Sequence, residues 1–165
     1  MLKLELPWAH QVTIETKEKR MKFSKIRDVK SPQRANAVDA GIDLFVPEDQ
    51  PAIALQAQES CIIPAGVKFN VPEGYALVAF NKSGVAVNKK LHVGACVIDC
   101  GYQGEVHINL TNVGLTEQYI NPGDKIVQVV LLQLGDSTVT EVPEDELFTE
   151  ASDRGEGKFG STGTK

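Results

Sequence analysis

Cysteine is scarce in this chain, and the three present, Cys61, Cys96 and Cys100, are odd in number and follow no framework spacing. That argues against a disulfide-stapled secreted scaffold and for reduced thiols in a cytoplasm. Cys96 and Cys100 resemble half of a metal site. No second Cys/His pair with ligand spacing accompanies them, since His92 and His107 lie on flanking strands, so zinc is not expected. Positive charge is also short, with 17 Lys and Arg against 22 Asp and Glu and a net charge of -5. Such a chain makes no field that gathers a nucleic-acid backbone or an anionic membrane, so a phosphate ligand must be held by local groups. No apolar run reaches transmembrane length and the N-terminus lacks a secretory layout, so neither nucleic acid nor membrane is an expected partner and the expected compartment is the cytoplasm. No repeat period is visible, which leaves out solenoids and propellers.

What the 165 residues do contain is enough apolar sequence for one sizeable core, cut into short pieces by 14 glycines and 8 prolines. Strands are expected near 22–26, 61–63, 66–71, 75–81, 91–98, 105–112, 126–134 and 138–142, small residues over 37–45 lead into a further strand, and one short helix is expected at 83–90. The separators Pro64-Ala65-Gly66, Pro72-Glu73-Gly74 and Pro122-Gly123-Asp124 are turn signals. Many short strands between such turns predict an all-β sandwich or jelly roll.

Three segments follow from the composition. Residues 1–20 alternate, break at Pro7-Trp8 and alternate again, giving an N-terminal extension of unknown role; an added edge hairpin, a cover for a neighbouring subunit and sequence upstream of an internal start all remain open. Residues 21–146 make the β core. Residues 147–165 are rich in Gly, Ser and Thr, hold too little apolar area to order themselves, and are expected to be mobile until something binds. Within that tail, Arg154 and Phe159 are a guanidinium and an aromatic ring set among glycines and hydroxyls, the groups that fork onto phosphate and stack on a base.

The stretch 93–106 reads as a β-hairpin: an apolar run to Ile98, a polar turn from Asp99 to Gly104, then the alternating strand 105–110. It would deliver a carboxylate, Asp99, at the end of a buried strand, with Tyr102 three residues on. That suits a pocket that reads a flat ring with main-chain groups and holds an activated water. The plainer reading is a turn in which Asp99 makes only a local bond.

Four further stretches carry suitable chemistry. Asn81-Lys82-Ser83-Gly84 runs from a strand end into a helix start, where N–H groups, a hydroxyl and an ammonium make an anion cradle, or merely a cap. Ala40-Gly41-Ile42-Asp43-Leu44 places Asp43 at a strand. Pro122-Gly123-Asp124-Lys125-Ile126-Val127-Gln128 feeds a buried strand in which Gln128 is the single polar insertion, often a satisfied core group. The tail, Gly155 to Thr162, lacks the spacing and the strand–helix setting of a Walker loop.

Five such signals in this order resemble the five motifs of the trimeric dUTP pyrophosphatases, the dUTPases, over residues 21–165. The resemblance implies a jelly-roll or β-clip-like homotrimer whose three active sites each draw on all three chains. It implies hydrolysis of dUTP to dUMP and pyrophosphate, limiting uracil in DNA and supplying dUMP for thymidylate, with Mg²⁺ held mainly by the triphosphate and by no direct protein ligand. Asp99 would be the catalytic base. Tyr102 would lie on the deoxyribose, and the backbone of Cys96, Val97 and Ile98 would pair with uracil. Lys82, Ser83 and Gly84 would bind the phosphates with Gln128 assisting, and Asp43 would be structural or close to the metal. Phe159 would cover the base, while Arg154, Gly160, Ser161 and Thr162 close over the triphosphate.

This chain departs from the family pattern at three positions. Lys82 stands where Arg is usual, losing the planar fork; Cys96 stands where Gly is common, which matters if that backbone needs a positive φ; and Lys158 replaces a tail Gly. Two alternatives accompany the reading: a dCTP deaminase or bifunctional relative on the same fold, and a nucleotide-binding trimer that engages a regulatory protein.

Overall fold

The computed structural model describes residues 20–153 and 155–157. The chain divides between Gly135 and Asp136 into two compact units. The first holds eleven strands: β1 Lys22–Lys25, β2 Ile42–Phe45, β3 Ile53–Leu55, β4 Ser60–Pro64, β5 Val67–Asn70, β6 Tyr75–Asn81, β7 Leu91–Val93, β8 Val97–Ile98, β9 His107–Asn112, β10 Gln118–Ile120 and β11 Lys125–Gln133. Every pairing is antiparallel. The strands form a four-stranded sheet in the order β2-β11-β6-β8, a three-stranded sheet β4-β9-β7, and two ribbons, β1-β5 and β10-β3. No helix among the described residues is long and apolar enough to cross a membrane.

One core joins these sheets. Leu44, Leu77, Val127 and Val129 from the four-stranded sheet meet Ile63, Leu91, Ile108 and Leu110 from the three-stranded one, together with Ile120 and Val67 from the ribbons. β9 shows how the sequence sets this up: His107, Asn109 and Thr111 face outward while Ile108, Leu110 and Asn112 are buried. Alternation of period two assigns each strand an inner face, and a slip of one residue would invert it. The all-β architecture is therefore as expected from the punctuation.

Four details differ from the sequence expectations. The hairpin over 93–110 is not a two-stranded ribbon. β7 pairs with β9, whereas β8 pairs with β6 in the other sheet. The chain changes sheets between them, where the Gly94 N–H donates to the Asn109 carbonyl at 3.0 Å. A Cβ on Gly94 would overlap the Asn109 side-chain oxygen, so a larger residue there would have to displace that amide. An unbroken apolar run hides such a crossing, because no polar residue marks where the chain leaves one sheet for the other. Nor does the partner strand start at Glu105: Val106 instead bridges Ala65 and Val67 with its main-chain groups at 2.8 and 2.9 Å.

The expected helix at 83–90 is wound as a π-helical turn, Val85–Lys89, ended by Lys90 in the left-handed region at φ 55°. The small residues from 37 lead into β2 as expected, after Asn36 to Asp39 closes a turn on the Asp39 carboxylate. Residues 138–142, in the second unit, have no ladder partner among the described residues; there Asp136 accepts from the Thr138 N–H and hydroxyl, a local bond that competes with strand pairing. That unit also holds the short helix α1, Glu144–Leu147.

A buried amide clamps two connections that the sequence did not announce. Asn112 is fully buried, donates to the carbonyls of Leu55 and Thr116 at 3.0 and 2.8 Å, and accepts from the Gly114 N–H at 3.0 Å. Asn112→Ala strands those three backbone groups and is expected to lower the unfolding free energy by at least about 2 kcal/mol, read from the shift of a denaturant midpoint at unchanged slope.

Candidate functional site

Two groups of side chains gather the residues expected to carry chemistry. The first surrounds a cavity of about 210 Å³ lined by Val97, Ile98, Asp99, Tyr102, Val106 and His107. β8 is the last strand of its sheet. The Ala79 N–H donates to the Cys96 carbonyl at 2.7 Å, and Leu77 and Val78 stand opposite Ile98 and Val97. Ladder bonds of an antiparallel pair fall on alternate residues, so Cys96 and Ile98 spend their main-chain groups on β6 while the N–H and C=O of Val97 point to the open side. The three-residue backbone expected to read a base is thereby narrowed to one donor and one acceptor on Val97.

Asp99 opens the turn that follows. Its carbonyl accepts from the Tyr102 N–H at 3.1 Å, while its carboxylate is exposed and has no hydrogen bond or ion pair among the described residues. The Tyr102 hydroxyl donates to the Glu105 carbonyl at 2.7 Å, which lays the ring across Gly104; a Cβ at Gly104 would overlap the tyrosine hydroxyl. The Glu105 carboxylate in turn accepts from the Gly66 N–H at 2.8 Å. These bonds fix the face of the ring toward the cavity rim.

The second group lies where β2, β6 and β11 come together. Asp43 on β2 is 3% exposed, the one acidic residue of the core among the described residues. Lys82, just past β6, donates to its Oδ1 at 2.8 Å. Lys125, at the start of β11, sets its ammonium 2.9 Å from Oδ2, close enough for an ion pair but outside hydrogen-bonding angles. Burial by itself would push the Asp43 carboxyl up; the Lys82 hydrogen bond and the two ammonium charges outweigh it and hold the carboxyl below the ordinary aspartate value. Gln128 stands opposite Asp43 across the β2–β11 ladder and donates to the Asn81 carbonyl at 3.0 Å. Its side chain covers Gly41, where a Cβ would collide with it. Ser83 and Gly84 are exposed and the side chain of Ser83 makes no capping bond, so the polar turn is not spent on its own helix.

No hydrogen bond or ion pair among the described residues joins Asp99 or Tyr102 to Asp43, Lys82 or Gln128. Among those residues, moreover, no three His, Cys, Asp or Glu side chains gather into a metal cluster.

A dUTPase family model matches residues 27–163 of this sequence. The deoxyuridine 5'-triphosphate nucleotidohydrolase of Candida albicans is 38% identical over 135 residues, spanning 81% of each chain. The protein of the same name from Oryza sativa subsp. japonica is 37% identical over 133 residues, 80% of this chain and 73% of its own. Among solved structures, the Staphylococcus bacteriophage 80alpha dUTPase with dUpNHpp superposes with a TM-score of 0.76 at 27% identity, covering 87% of this chain and 98% of that one. The chain belongs to the dUTPase family.

Within this dUTPase, one departure resolves at once. Cys96 does not have a positive φ; among the described non-glycine residues only Gln58 and Lys90 do, so the cysteine sits in ordinary backbone. Arg154, Lys158, Phe159, Gly160, Ser161 and Thr162 lie outside the described residues. Sequence reasoning missed Lys125 and His107. Lys125 was readable as the residue that follows a Gly-Asp turn and precedes Gln128, yet a lysine there looks like a solvated charge. His107 was readable only as an outward position of β9.

A depressed carboxyl stabilises the fold above its unfolded value, 3.8, and loses that contribution as the pH falls through its lower folded value. Acid unfolding of the wild type is therefore expected to steepen below pH 3.8, and Asp43→Asn to flatten that limb, in denaturant titrations run at successive pH values.

Proposed function

We propose that this chain hydrolyses dUTP to dUMP and pyrophosphate, with Asp99 as the base. The observation that carries the reading is the Asp99 carboxylate, unpartnered among the described residues, on the rim of a cavity beside a strand edge with one free N–H and one free C=O. A water oxygen attacks the α-phosphorus in line, its proton passes to the Asp99 carboxylate, and the bond from that phosphorus to the bridging oxygen breaks to release pyrophosphate. Phosphoryl chemistry of this kind asks mainly for positioning and charge stabilisation.

Val97 supports uracil as the base. Its C=O accepts from the ring N3–H and its N–H donates to a neighbouring ring carbonyl. Cytosine carries an acceptor at N3 and would set two lone pairs against each other. The ring of Tyr102, fixed over Gly104, lies against the deoxyribose and leaves no space for a 2′-hydroxyl. Lys82, Ser83 and Gly84 hold the phosphates, with Gln128 bracing the Asn81 carbonyl next to Lys82.

Mg²⁺ fits as an ion carried on the triphosphate, because both oxygens of Asp43 already face ammonium groups and the described residues form no acidic cluster. When bound it supplies neutralisation of the charge that gathers on the departing pyrophosphate. The reading includes a homotrimer whose sites combine the Asp99 and Lys82 groups of different copies. Exposed apolar side chains such as Ile62 and Leu115 offer area for those contacts. Arg154, Phe159, Gly160, Ser161 and Thr162, which the resemblance assigns to the base and the phosphates, lie outside the described residues, and the truncation below tests their part in turnover. Family membership does not favour the deaminase alternative.

Pyrophosphate release from dUTP, with dCTP, dTTP and UTP as comparators, tests the activity; turnover of dUTP alone is the expected result. Asp99→Asn is expected to lower turnover by about two to four orders of magnitude while keeping affinity for dUpNHpp, and near-normal turnover would remove Asp99 from the mechanism. Deleting residues 153–165 is expected to preserve the oligomer in light scattering and to suppress turnover; dissociation would make the segment structural.

A further inference from the structure

The Asp43 carboxylate has two cationic partners where one would balance its charge, and the two partners are not equivalent. Lys125 opens β11 opposite Phe45 in the ladder, with its ammonium also 5.9 Å from the Phe45 ring centroid. Lys82 follows the last residue of β6 and leads into Ser83-Gly84, an exposed turn where a Cβ added to Gly84 would meet nothing within 4 Å. One lysine is fixed at its backbone in a strand ladder; the other, which makes the hydrogen bond, follows a strand end into an exposed turn.

We propose that Lys125 is a positioning residue that keeps the buried Asp43 carboxylate balanced, so that the Lys82 ammonium is free to leave it for a phosphate oxygen of the bound triphosphate. This rests on the reading of Lys82 as a phosphate contact. If Lys82 were the only partner, its departure would leave an unpaired charge that is 3% exposed, and the cost of that state would hold Lys82 on the carboxylate. With Lys125 in place, the carboxylate stays paired while Lys82 changes partner. A lysine suits such a transfer, since its single charge rides on a flexible stem; an arginine fork at position 82 would tend to bridge both anions. The unusual Lys82 and the second cation, Lys125, thus belong to one device.

The test uses the full chain with two ligands that differ only in the phosphates proposed to draw Lys82: dUpNHpp and dUMP. Lys125→Met is expected to weaken dUpNHpp about tenfold or more, with dUMP affinity within about twofold of wild type. Lys125→Arg, which retains the charge, is expected to bind both ligands as the wild type does. The double variant Asp43→Asn/Lys125→Met removes the carboxylate that would trap Lys82 and is expected to recover dUpNHpp affinity. Unchanged dUpNHpp binding by Lys125→Met, or an equal loss for both ligands, overturns the proposal. Failure of the double variant to recover overturns it too, by making Lys125 itself the phosphate contact. The reading beneath it fails separately: Lys82→Met with wild-type dUpNHpp affinity would remove Lys82 from the phosphates.

Discussion

The change of sheet at Gly94 is the constraint on which the site depends. A backbone that passes against the Asn109 side chain with no room for a Cβ can leave the β4-β9-β7 sheet and reach the edge of the other within three residues. That makes β8 a two-residue edge strand, paired on one side only. Open edges invite unwanted pairing, and proteins keep them short for that reason. Here the short edge leaves one donor and one acceptor on Val97, the pair proposed to read the uracil ring and too few to template another strand.

The phosphate end obeys a different balance. The chain as a whole is anionic, at -5, so it offers a triphosphate no long-range attraction. Screening in physiological salt confines bare charges to about 8 Å in any case. What matters is charge within contact distance, and the lysines at 2.8 and 2.9 Å from Asp43 concentrate it at one strand end. The buried carboxylate is a weak contributor to stability for its cost in desolvation. Its value lies in gathering two cations that would otherwise repel each other.

Much of this was legible in the sequence, for stated reasons. Alternation in 107–112 marked which face is buried, and the motif residues Asp43, Lys82 and Gln128 proved to be neighbours, as did Val97, Ile98, Asp99 and Tyr102. Pairing partners were not legible. The run from 93 to 98 is apolar throughout although only Ile98 is buried, and nothing in its residues marks the crossing except a glycine. β3 and β10 are three residues each, too short for period two to stand out. Residues 138–142 are rich in β-branched side chains yet have no ladder partner among the described residues, a reminder that β propensity is not a formed strand. Asn112 looked like the polar end of a strand, and only the positions of three distant backbone groups reveal it as a clamp.

The turn that bears Asp99 is exposed, and exposure usually brings mobility, yet a base must be held within a fraction of an ångström to be useful. Hydrophobic burial cannot supply that hold here, so hydrogen bonds do. Ile98, buried in the β8 ladder, fixes the entry to the turn. The Asp99 carbonyl closes it on the Tyr102 N–H, and the Tyr102 hydroxyl ties the far side to Glu105. Glu105 anchors the whole to the Gly66 N–H, on a residue whose φ of 68° suits glycine and little else. Each bond contributes only about 1 kcal/mol net. Together they constrain the backbone on both sides of Asp99, so the freedom left to its carboxylate is chiefly rotation about its own side-chain bonds.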